Sequence, residues 1–236
     1  MEALDVCMER ARVAGFDAVL CCGDVVGYGP EPNEAIQCLR QEEAVTIRGN
    51  HDRVASGQDE PTDFNLHAAR AALWTREALT EESQAWLREL PLGPLDVGDG
   101  AELVHGAVTD EDDYIMCPAD AAESFALTRR GLTFFGHSHF QCVYACDASG
   151  NVTTEATGES KGVGLFTLRD DVQYLINPGS VGQPRDNDTR AGFAIWDTGR
   201  SLIEFYRVEY PLGMTQEKMR KADLPTYLID RLSQGR

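Results

Sequence analysis

The chain has no apolar run long enough to cross a bilayer, which excludes a protein with a membrane-spanning helix. Its hydrophobic stretches fall short of the roughly 18 residues that a membrane-spanning helix needs. The N-terminus lacks a basic flank followed by an apolar segment, so we expect no export signal and a cytoplasmic location. We see no internal repeat and no low-complexity linker in the 236 residues. We therefore expect a single domain over 1–236, with no membrane partner.

Positive charge is scarce. The chain has 21 Lys and Arg against 39 Asp and Glu, for a formal net charge of -18. Such a field repels a polyanion, so we expect no general binding of nucleic acid. Bound divalent cations would reverse the field locally, so a small anionic substrate is not excluded. Composition gives no indication of the oligomeric state.

Paired cysteines are missing as well. The seven cysteines are scattered and show no C-x-x-C spacing, which favours a reducing compartment over a zinc ribbon or a disulfide framework. Cys142 and Cys146 fall on one face of an alternating strand pattern. We expect the thiols to act as small buried apolar groups rather than as metal or redox sites.

The periodicity of the sequence predicts a mixed α/β fold with two packed sheets. Helical spacing runs from the N-terminus to Gly15, where glycine is typical of a helix end. Two amphipathic helices are predicted within 65–90, the second beginning at Thr80. Further helices are predicted near 33–40, 215–221 and 225–232, and strands at 17–22, 44–47, 101–104, 132–135, 142–146, 164–168, 172–176, 192–196 and 202–207.

Residues able to bind a metal follow the predicted strands. In open α/β sheets, ligands bind beyond the carboxyl ends of the strands, so we expect these side chains to meet in one pocket. They are Asp24, Asn50, His51, His105, His137 and His139. The fifth histidine, His67, lies on a predicted helix, and a structural role is preferred for it.

The residue types in this set indicate the metal. Carboxylate, amide and imidazole ligands suit Mn, Fe or Zn better than Mg, and a set without thiolates excludes a closed structural zinc site. One carboxylate that bridges two such cations is typical of sites that activate a water for attack on phosphorus. The pattern therefore predicts metal-dependent phosphoryl chemistry.

Four motifs in order resemble those of the calcineurin-like metallophosphoesterases. They are Gly-Asp at 23–24, Gly-Asn-His-Asp at 49–52, His-Gly at 105–106 and Gly-His-Ser-His at 136–139. Small prokaryotic members are more similar still, since their G-D-x-V-G-Y-G-P-x-P-N-E and N-P-G-S-V-G-Q-P-R stretches match 23–34 and 177–185. The resemblance extends over essentially the whole chain. It implies a four-layer αββα sandwich of two mixed sheets and hydrolysis of phosphate esters with two divalent metal ions, of which Mn or Fe are favoured.

The resemblance also implies roles for the individual residues. Asp24 would bridge the two metals; Asn50, His105 and His137 would complete one metal site, and His139 would belong to the other. His51 would lie beside the leaving oxygen, as a proton donor or a positive group.

Three further residues of the motifs are predicted to contact the substrate. Arg185 would hold a substrate phosphate, with a structural ion pair as the equal alternative. Tyr28 and Arg53 would line the cleft, although packing within the turn is the better interpretation for Tyr28. Asn177 is interpreted as the cap of a turn rather than as a ligand.

The sequence departs from the family at its start. Members begin with a strand that ends in Asp-x-His-Gly-Asn, whose Asp and His bind the metal that His139 also serves, whereas this sequence begins at Met1. We therefore expect the first strand to be missing and the second metal to be weakly held. Our hypothesis is that the written start lies inside a longer reading frame, which an in-frame motif in the upstream codons would support.

A second departure concerns the substrate. Protein serine/threonine phosphatases have Asp and Arg where this chain has Gly27 and Tyr28. The resemblance therefore favours a phosphodiesterase acting on a small phosphate ester or nucleotide over a phosphoprotein phosphatase. A dinucleoside polyphosphate hydrolase is the alternative within enzymes. A weakly active or non-catalytic binding protein is the alternative from another class, because one metal site is incomplete.

Overall fold

The computed structural model describes residues 1–160 and 162–236 and contains twelve strands in that part of the chain. Several are short. In chain order they are β1 (Leu20–Cys21), β2 (Val45–Thr46), β3 (Leu95–Gly98), β4 (Ala101–Leu103), β5 (Leu132–Phe134), β6 (Gln141–Cys146), β7 (Val152–Thr154), β8 (Gly158–Ser160), β9 (Val163–Thr167), β10 (Gln173–Pro178), β11 (Ala191–Asp197) and β12 (Leu202–Val208).

The described residues form eight helices. They are α1 (Glu2–Ala14), α2 (Pro32–Gln41), α3 (Asn50–Ala55), α4 (Leu66–Ala78), α5 (Glu81–Glu89), α6 (Pro118–Phe125), α7 (Leu212–Lys221) and α8 (Thr226–Leu232). None of them has the length and apolarity that a membrane crossing requires. Two predicted helix ends are confirmed. The Gly15 N–H bonds to Ala11 O at 2.8 Å, and the Thr80 hydroxyl accepts the Ser83 N–H at 3.1 Å.

A six-stranded mixed sheet lies at the centre, in the order β3-β4-β5-β10-β6-β7. Both faces of this sheet are buried, and alternate side chains of each strand enter the two cores. Along β10, Tyr174 and Ile176 belong to one apolar cluster, whereas Leu175 between them belongs to another. The second face is covered by α6 through Ala121 and Phe125.

A second strand layer covers the first face of the central sheet. It contains the antiparallel sheet β11-β12-β9-β8, whose Ile203 and Phe205 pack into the same cluster as Ile47 after β2. Helix α1 packs on the outside of this layer, where Ala3 and Cys7 contact Ala191. The order of layers is therefore helix, sheet, sheet, helix, which confirms the predicted αββα arrangement.

The second layer differs from the prediction in one respect. It consists of two hydrogen-bonded sheets, because β1 and β2 form a separate parallel pair. Among the described residues, β1 has a hydrogen-bonded neighbour on one edge only. The strands predicted at 17–22 and 44–47 are each two residues long in the structure. Helices α3 and α6 and strands β3, β7 and β8 were not predicted, because their periodic segments are short.

The cysteines are mostly buried or half-buried, as predicted for apolar groups, but Cys117 is exposed. All seven are unpaired. Cys142 and Cys146 pack on the face of the central sheet that α6 covers. Burial raises the pKa of Cys142 to about 12, so this thiol stays protonated at neutral pH.

An ion pair joins α1 to α7, and it should show in the stability of the protein. The buried Glu2 carboxylate lies 2.5 Å from Lys218 Nζ and accepts the Thr215 hydroxyl at 2.8 Å. Burial opposes the charge, but the bonds from Lys218 and Thr215 override it and lower the pKa of Glu2 from 4.5 to about 2. The stabilisation is therefore full above about pH 4.5 and is lost as the pH falls through the folded-state pKa.

We expect Glu2→Gln to lower the free energy of unfolding at pH 7 by about 1 kcal/mol, since Lys218 is partly exposed and screened. Urea unfolding of wild type and variant at pH 7 and pH 3.5 tests this, and the difference should be smaller at pH 3.5. Glu217→Gln, which removes the exposed partner of Lys221, is the control and should have no measurable effect. Equal effects of the two variants would contradict the assignment.

Candidate metal centre

Asp24 lies at the turn after β1 and at the centre of the site. Its Oδ1 accepts the main-chain N–H of His51 at 2.9 Å, and its Oδ2 lies 3.4 Å from His105 Nε2. The first bond ties the turn after β1 to the start of α3. The carboxylate is thereby fixed between two of the predicted motifs.

Each of the three predicted histidine ligands is oriented by a main-chain carbonyl. His105 Nδ1 bonds to Cys22 O at 2.7 Å, His137 Nε2 to Asp112 O at 3.0 Å, and His139 Nδ1 to Gln183 O at 2.7 Å. A carbonyl oxygen only accepts, so the bonded ring nitrogen carries the hydrogen. In a neutral ring the other nitrogen then has a free lone pair, which is the form that binds a metal. At His105, whose Nε2 lies against Asp24, a metal would replace the proton on that nitrogen.

Three of the predicted ligands form one compact group. Single donor atoms of Asp24, His105 and His137 all lie within 4.8 Å of one another. The amide oxygen of Asn50 joins them, 3.2 Å from His105 Nε2. His139 lies outside this group, although the charge of Asp24 acts on it. The geometry therefore brings Asp24, Asn50, His105 and His137 together, and a second metal at His139 stays a prediction.

The electrostatics of the group favour a cation. Burial opposes ionisation of Asp24, yet His105 and His51 hold the pKa of its carboxyl well below the usual range. Burial likewise opposes charge on His105, but Asp24 raises its pKa to about 9. His137 remains neutral, because burial and the charge of His105 lower its pKa to about 4. A positive charge between Asp24 and His105 is thus already stabilised, and a divalent cation fits the same position.

The backbone of the site is strained at its ligands. Asp24, His137 and His139 have φ of 54°, 58° and 62°. This left-handed region costs a non-glycine residue roughly 1 kcal/mol or more, and such strain clusters at functional sites. The sharp turns point these side chains into the pocket instead of along their strands.

Two glycines allow the backbone to approach the ligands closely. A Cβ on Gly49 would lie 2.2 Å from Asp24 Oδ1 and 2.7 Å from His105 Cε1. A Cβ on Gly23 would lie 2.8 Å from His105 Nδ1. Any side chain at these positions would displace the donors, so the chain is shaped around the metal-binding group.

His51 lies next to the group and is enclosed by aromatic rings. Its ring centroid is 4.4 Å from that of Tyr28 and 4.6 Å from that of Phe64. Its Nδ1 is buried without a hydrogen-bond partner and faces Gly27. Burial lowers the pKa of His51 to about 4, so the ring is neutral at pH 7.

Arg185 and Tyr28 lie together beside His51 and His139. Arg185 Nη2 donates to the Tyr28 hydroxyl at 3.2 Å, and the Tyr28 ring lies 6.4 Å from that of His139. Arg185 Nε is buried and has no partner. Its guanidinium makes no ion pair with a side chain in the described ranges, which leaves it available to an anion.

Arg53 has a different environment from the one that was predicted. Its guanidinium bonds to Glu111, to Asp112 at 2.6 Å and to Asp59 at 3.2 Å. Asp112 also supplies the carbonyl that orients His137. These carboxylates neutralise Arg53, so we interpret it as support for the loop beneath His137 and do not include it among the substrate contacts.

Some residues that position the site could not be assigned from the sequence. Asn177 is fully buried and donates to Gly136 O at 2.8 Å and to the Ser138 hydroxyl at 3.0 Å. It therefore fixes the turn that contains His137, while its own Oδ1 accepts the Gly179 N–H as the predicted cap. Tyr114 stacks on His137 at 3.9 Å between ring centroids. No periodicity or motif pointed to Tyr114, which lies in an irregular loop. The remaining histidine, His67, stacks on Tyr227, with 4.8 Å between the ring centroids.

The comparison with known families agrees with this geometry. The chain belongs to the calcineurin-like phosphoesterase superfamily, whose domain model matches residues 1–201. Proteins of this family hydrolyse phosphoric esters and typically depend on two metal ions. In this chain, the compact group of Asp24, His105 and His137 is the candidate metal site.

Several relatives match the chain over its whole length. A protein of Methanocaldococcus jannaschii described as uncharacterized is 34% identical, over 100% of this chain and 94% of the relative. The crystal structure of a metallophosphoesterase from Sphaerobacter thermophilus is 32% identical, with a TM-score of 0.83 and the same coverage. A hypothetical protein from Pyrococcus horikoshii shares the fold at 20% identity, with a TM-score of 0.77 over 100% of this chain and 94% of that one.

The close approach at Gly49 generates a test of the metal site. We expect Gly49→Ala to lower the affinity for Mn²⁺ by at least about tenfold, because its Cβ would displace Asp24 and His105. Calorimetric titration of the metal-free protein with Mn²⁺ measures this. Gly29→Ala is the matched control, since a Cβ there meets nothing within 4 Å, and it should bind as wild type does. Unchanged Mn²⁺ binding by Gly49→Ala would place the metal elsewhere.

Proposed function

We propose that the protein is a cytoplasmic metal-dependent phosphodiesterase. The observation that carries the proposal is the compact group of Asp24, His105 and His137, with the neutral ring of His51 beside it. Bound divalent cations would supply an activated water and neutralise the phosphoryl oxygens. The donor set favours Mn or Fe, and His139 with Asp24 would hold the second ion more weakly.

The arrangement around His51 supports a role at the leaving oxygen. The ring is held next to Asp24, because its own main-chain N–H bonds to that carboxylate at 2.9 Å. Since Nδ1 is turned against Gly27, the side of the ring that carries Nε2 is the one a substrate meets. A neutral imidazole donates one N–H there and thereby stabilises the departing alkoxide.

The charges near the site favour a diester over a monoester. A diester carries one negative charge on the reacting phosphoryl group, whereas a monoester approaches two. Arg53 is neutralised by carboxylates, and Gly27 and Tyr28 supply no charge. Arg185, whose charge acts on His51, is therefore the cation left for the substrate, which suits the smaller charge.

A dinucleoside polyphosphate hydrolase is the second candidate. The observation that favours it is the buried Nε of Arg185, which has no partner and would donate to a further phosphate group. Product analysis on such nucleotides and on simple diesters separates the two activities.

Substitution of His51 tests its role in the reaction. We expect His51→Ala to lower kcat by on the order of 10² to 10⁴, because the departing oxygen loses its donor, while the metal content is retained. The measurement is steady-state hydrolysis of bis(p-nitrophenyl) phosphate together with metal analysis of the same sample. An unchanged kcat in metal-replete protein removes His51 from the mechanism.

Removal of the metal tests the proposed activity as a whole. Chelated protein should not hydrolyse bis(p-nitrophenyl) phosphate, and added Mn²⁺ should restore the reaction. The kcat/KM for the diester should exceed that for p-nitrophenyl phosphate by at least about tenfold, or about 1.4 kcal/mol. One equivalent of Mn²⁺ or less, with no hydrolysis of either ester, would instead support a non-catalytic binding protein.

A further inference from the structure

We propose that Asp186 and Arg207 are positioning residues, whose ion pair holds the irregular segment 180–186 so that it orients His139 and Arg185. That His139 and Arg185 serve the hydrolysis of a phosphodiester rests on the proposed function. The positioning itself can be measured without turnover.

The segment 180–186 makes two bonds to His139. It lies between β10 and β11 and belongs to no helix or strand. Its Gln183 carbonyl accepts the bond from His139 Nδ1 at 2.7 Å, and its Arg185 N–H donates to the His139 carbonyl at 3.3 Å. His139 itself has a φ of 62°, a strained conformation that persists only where the surroundings hold it. The position of His139 therefore depends on what fixes this segment.

Asp186 ties the end of the segment to both strand layers. Its Oδ2 accepts the main-chain N–H of Gln141 in β6 at 3.3 Å and pairs with the guanidinium of Arg207 in β12. Arg207 Nε in turn donates to the Gln141 side chain at 3.1 Å. The Gln141 amide donates to main-chain oxygens of both layers, that of Pro178 in β10 at 2.9 Å and that of Tyr206 in β12 at 3.3 Å. The three side chains thus form one network between the central sheet and the second layer.

This network lies next to the bond that orients His139. Gln141 follows His139 by two residues, and Asp186 follows Gln183 by three. The two short stretches are joined at one end by the bond between His139 and Gln183, and at the other by the bond between Gln141 and Asp186. Each residue between the two bonds has only two soft backbone dihedrals. Movement of Asp186 away from Gln141 therefore also moves the carbonyl that holds the imidazole.

Stability alone does not account for the pair. The side chains of Arg207 and Asp186 are 13% and 15% exposed, and in such a buried pair the loss of water offsets much of the attraction. Asp186 Oδ1 and Arg207 Nη1 have no hydrogen-bond partner in the described ranges, which adds to the cost of burial. Gly192 nevertheless leaves room for the guanidinium, since a Cβ there would lie 3.2 Å from Arg207 Nη1. The geometry that the pair imposes on the segment explains why so costly a contact is present.

The hydrogen on the His139 ring reports the position of the segment. In metal-free protein at pH 8, where an imidazole of ordinary pKa is neutral, ¹H–¹⁵N correlation spectra distinguish the two tautomers. Wild type should carry the hydrogen on Nδ1, held by the Gln183 carbonyl. Arg207→Met should move the two ring ¹⁵N resonances of His139 towards each other, because a ring without that bond exchanges between tautomers. His137, which bonds through Nε2 to Asp112 O, is the internal reference and should not change.

Matched variants separate positioning from stability. Arg200→Met makes the same change at the opposite end of the β11–β12 hairpin, where Arg200 pairs with Asp197 and Glu204, and it should leave the ring resonances unchanged. Asp186→Leu combined with Arg207→Met leaves neither charge of the pair buried alone, so it should recover stability in urea unfolding and still show tautomer exchange. Arg207→Lys keeps the charge without the planar fork and should give an intermediate shift. The last two variants replace Arg207→Met if it does not fold.

The same variants should affect hydrolysis. The kcat/KM for bis(p-nitrophenyl) phosphate should fall by at least about tenfold in Arg207→Met and in the double variant, because His139 and Arg185 both lose their positions. In Arg200→Met it should stay within about twofold of wild type.

The outcomes separate the positioning role from the proposed activity. A single His139 tautomer that persists in the double variant, or an equal change at His137, overturns the inference. So does an unchanged kcat/KM in a double variant that hydrolyses the diester. A His139 tautomer that depends on Arg207, in a wild-type protein without hydrolytic activity, refutes the proposed function and leaves the positioning of His139 standing.

Discussion

The site depends on hydrogen bonds from three imidazole rings to main-chain carbonyls. Each bond fixes which ring nitrogen carries the hydrogen, and so which nitrogen presents a lone pair. The acceptors are Cys22, Asp112 and Gln183, which lie in three separate segments of the chain. These segments have to meet before any ring is oriented. The layered fold therefore brings peptide groups that are distant in the sequence together around one candidate metal centre.

The candidate ligands could be selected from the sequence, whereas their supports could not. Asp24, His105 and His137 follow apolar strand segments, and residue type and position are both visible in a sequence. A carbonyl acceptor carries no such signal, because every residue has one. Only the fold decides that the carbonyl of Asp112, an acidic residue in an irregular loop, faces His137. The same holds for Asn177, which caps a turn as predicted and also fixes the turn that contains His137.

The fold was predictable to the level of its layers. Short strand segments predicted two packed sheets, and the structure shows that successive side chains of β10 enter opposite cores. The division of the second layer into a four-stranded sheet and the pair β1-β2 was not predictable from these segments. Which edges pair is decided by strands far apart in the sequence, and hydrophobic pattern alone carries no information about that choice.

Charge neutralisation separates the two arginines that lie near the site. Arg53 is bound by carboxylates on both sides, so it exerts little field on a substrate and instead holds the loop beneath His137. Arg185 lacks such a partner in the described part of the chain, where it donates only to Tyr28 and Gln183, and it is partly buried. An unneutralised, partly desolvated guanidinium binds anions more strongly than an exposed or paired one. In a chain with a large acidic excess, the absence of an acid paired with Arg185 in the described residues is the feature that supports its proposed contact with a substrate phosphate.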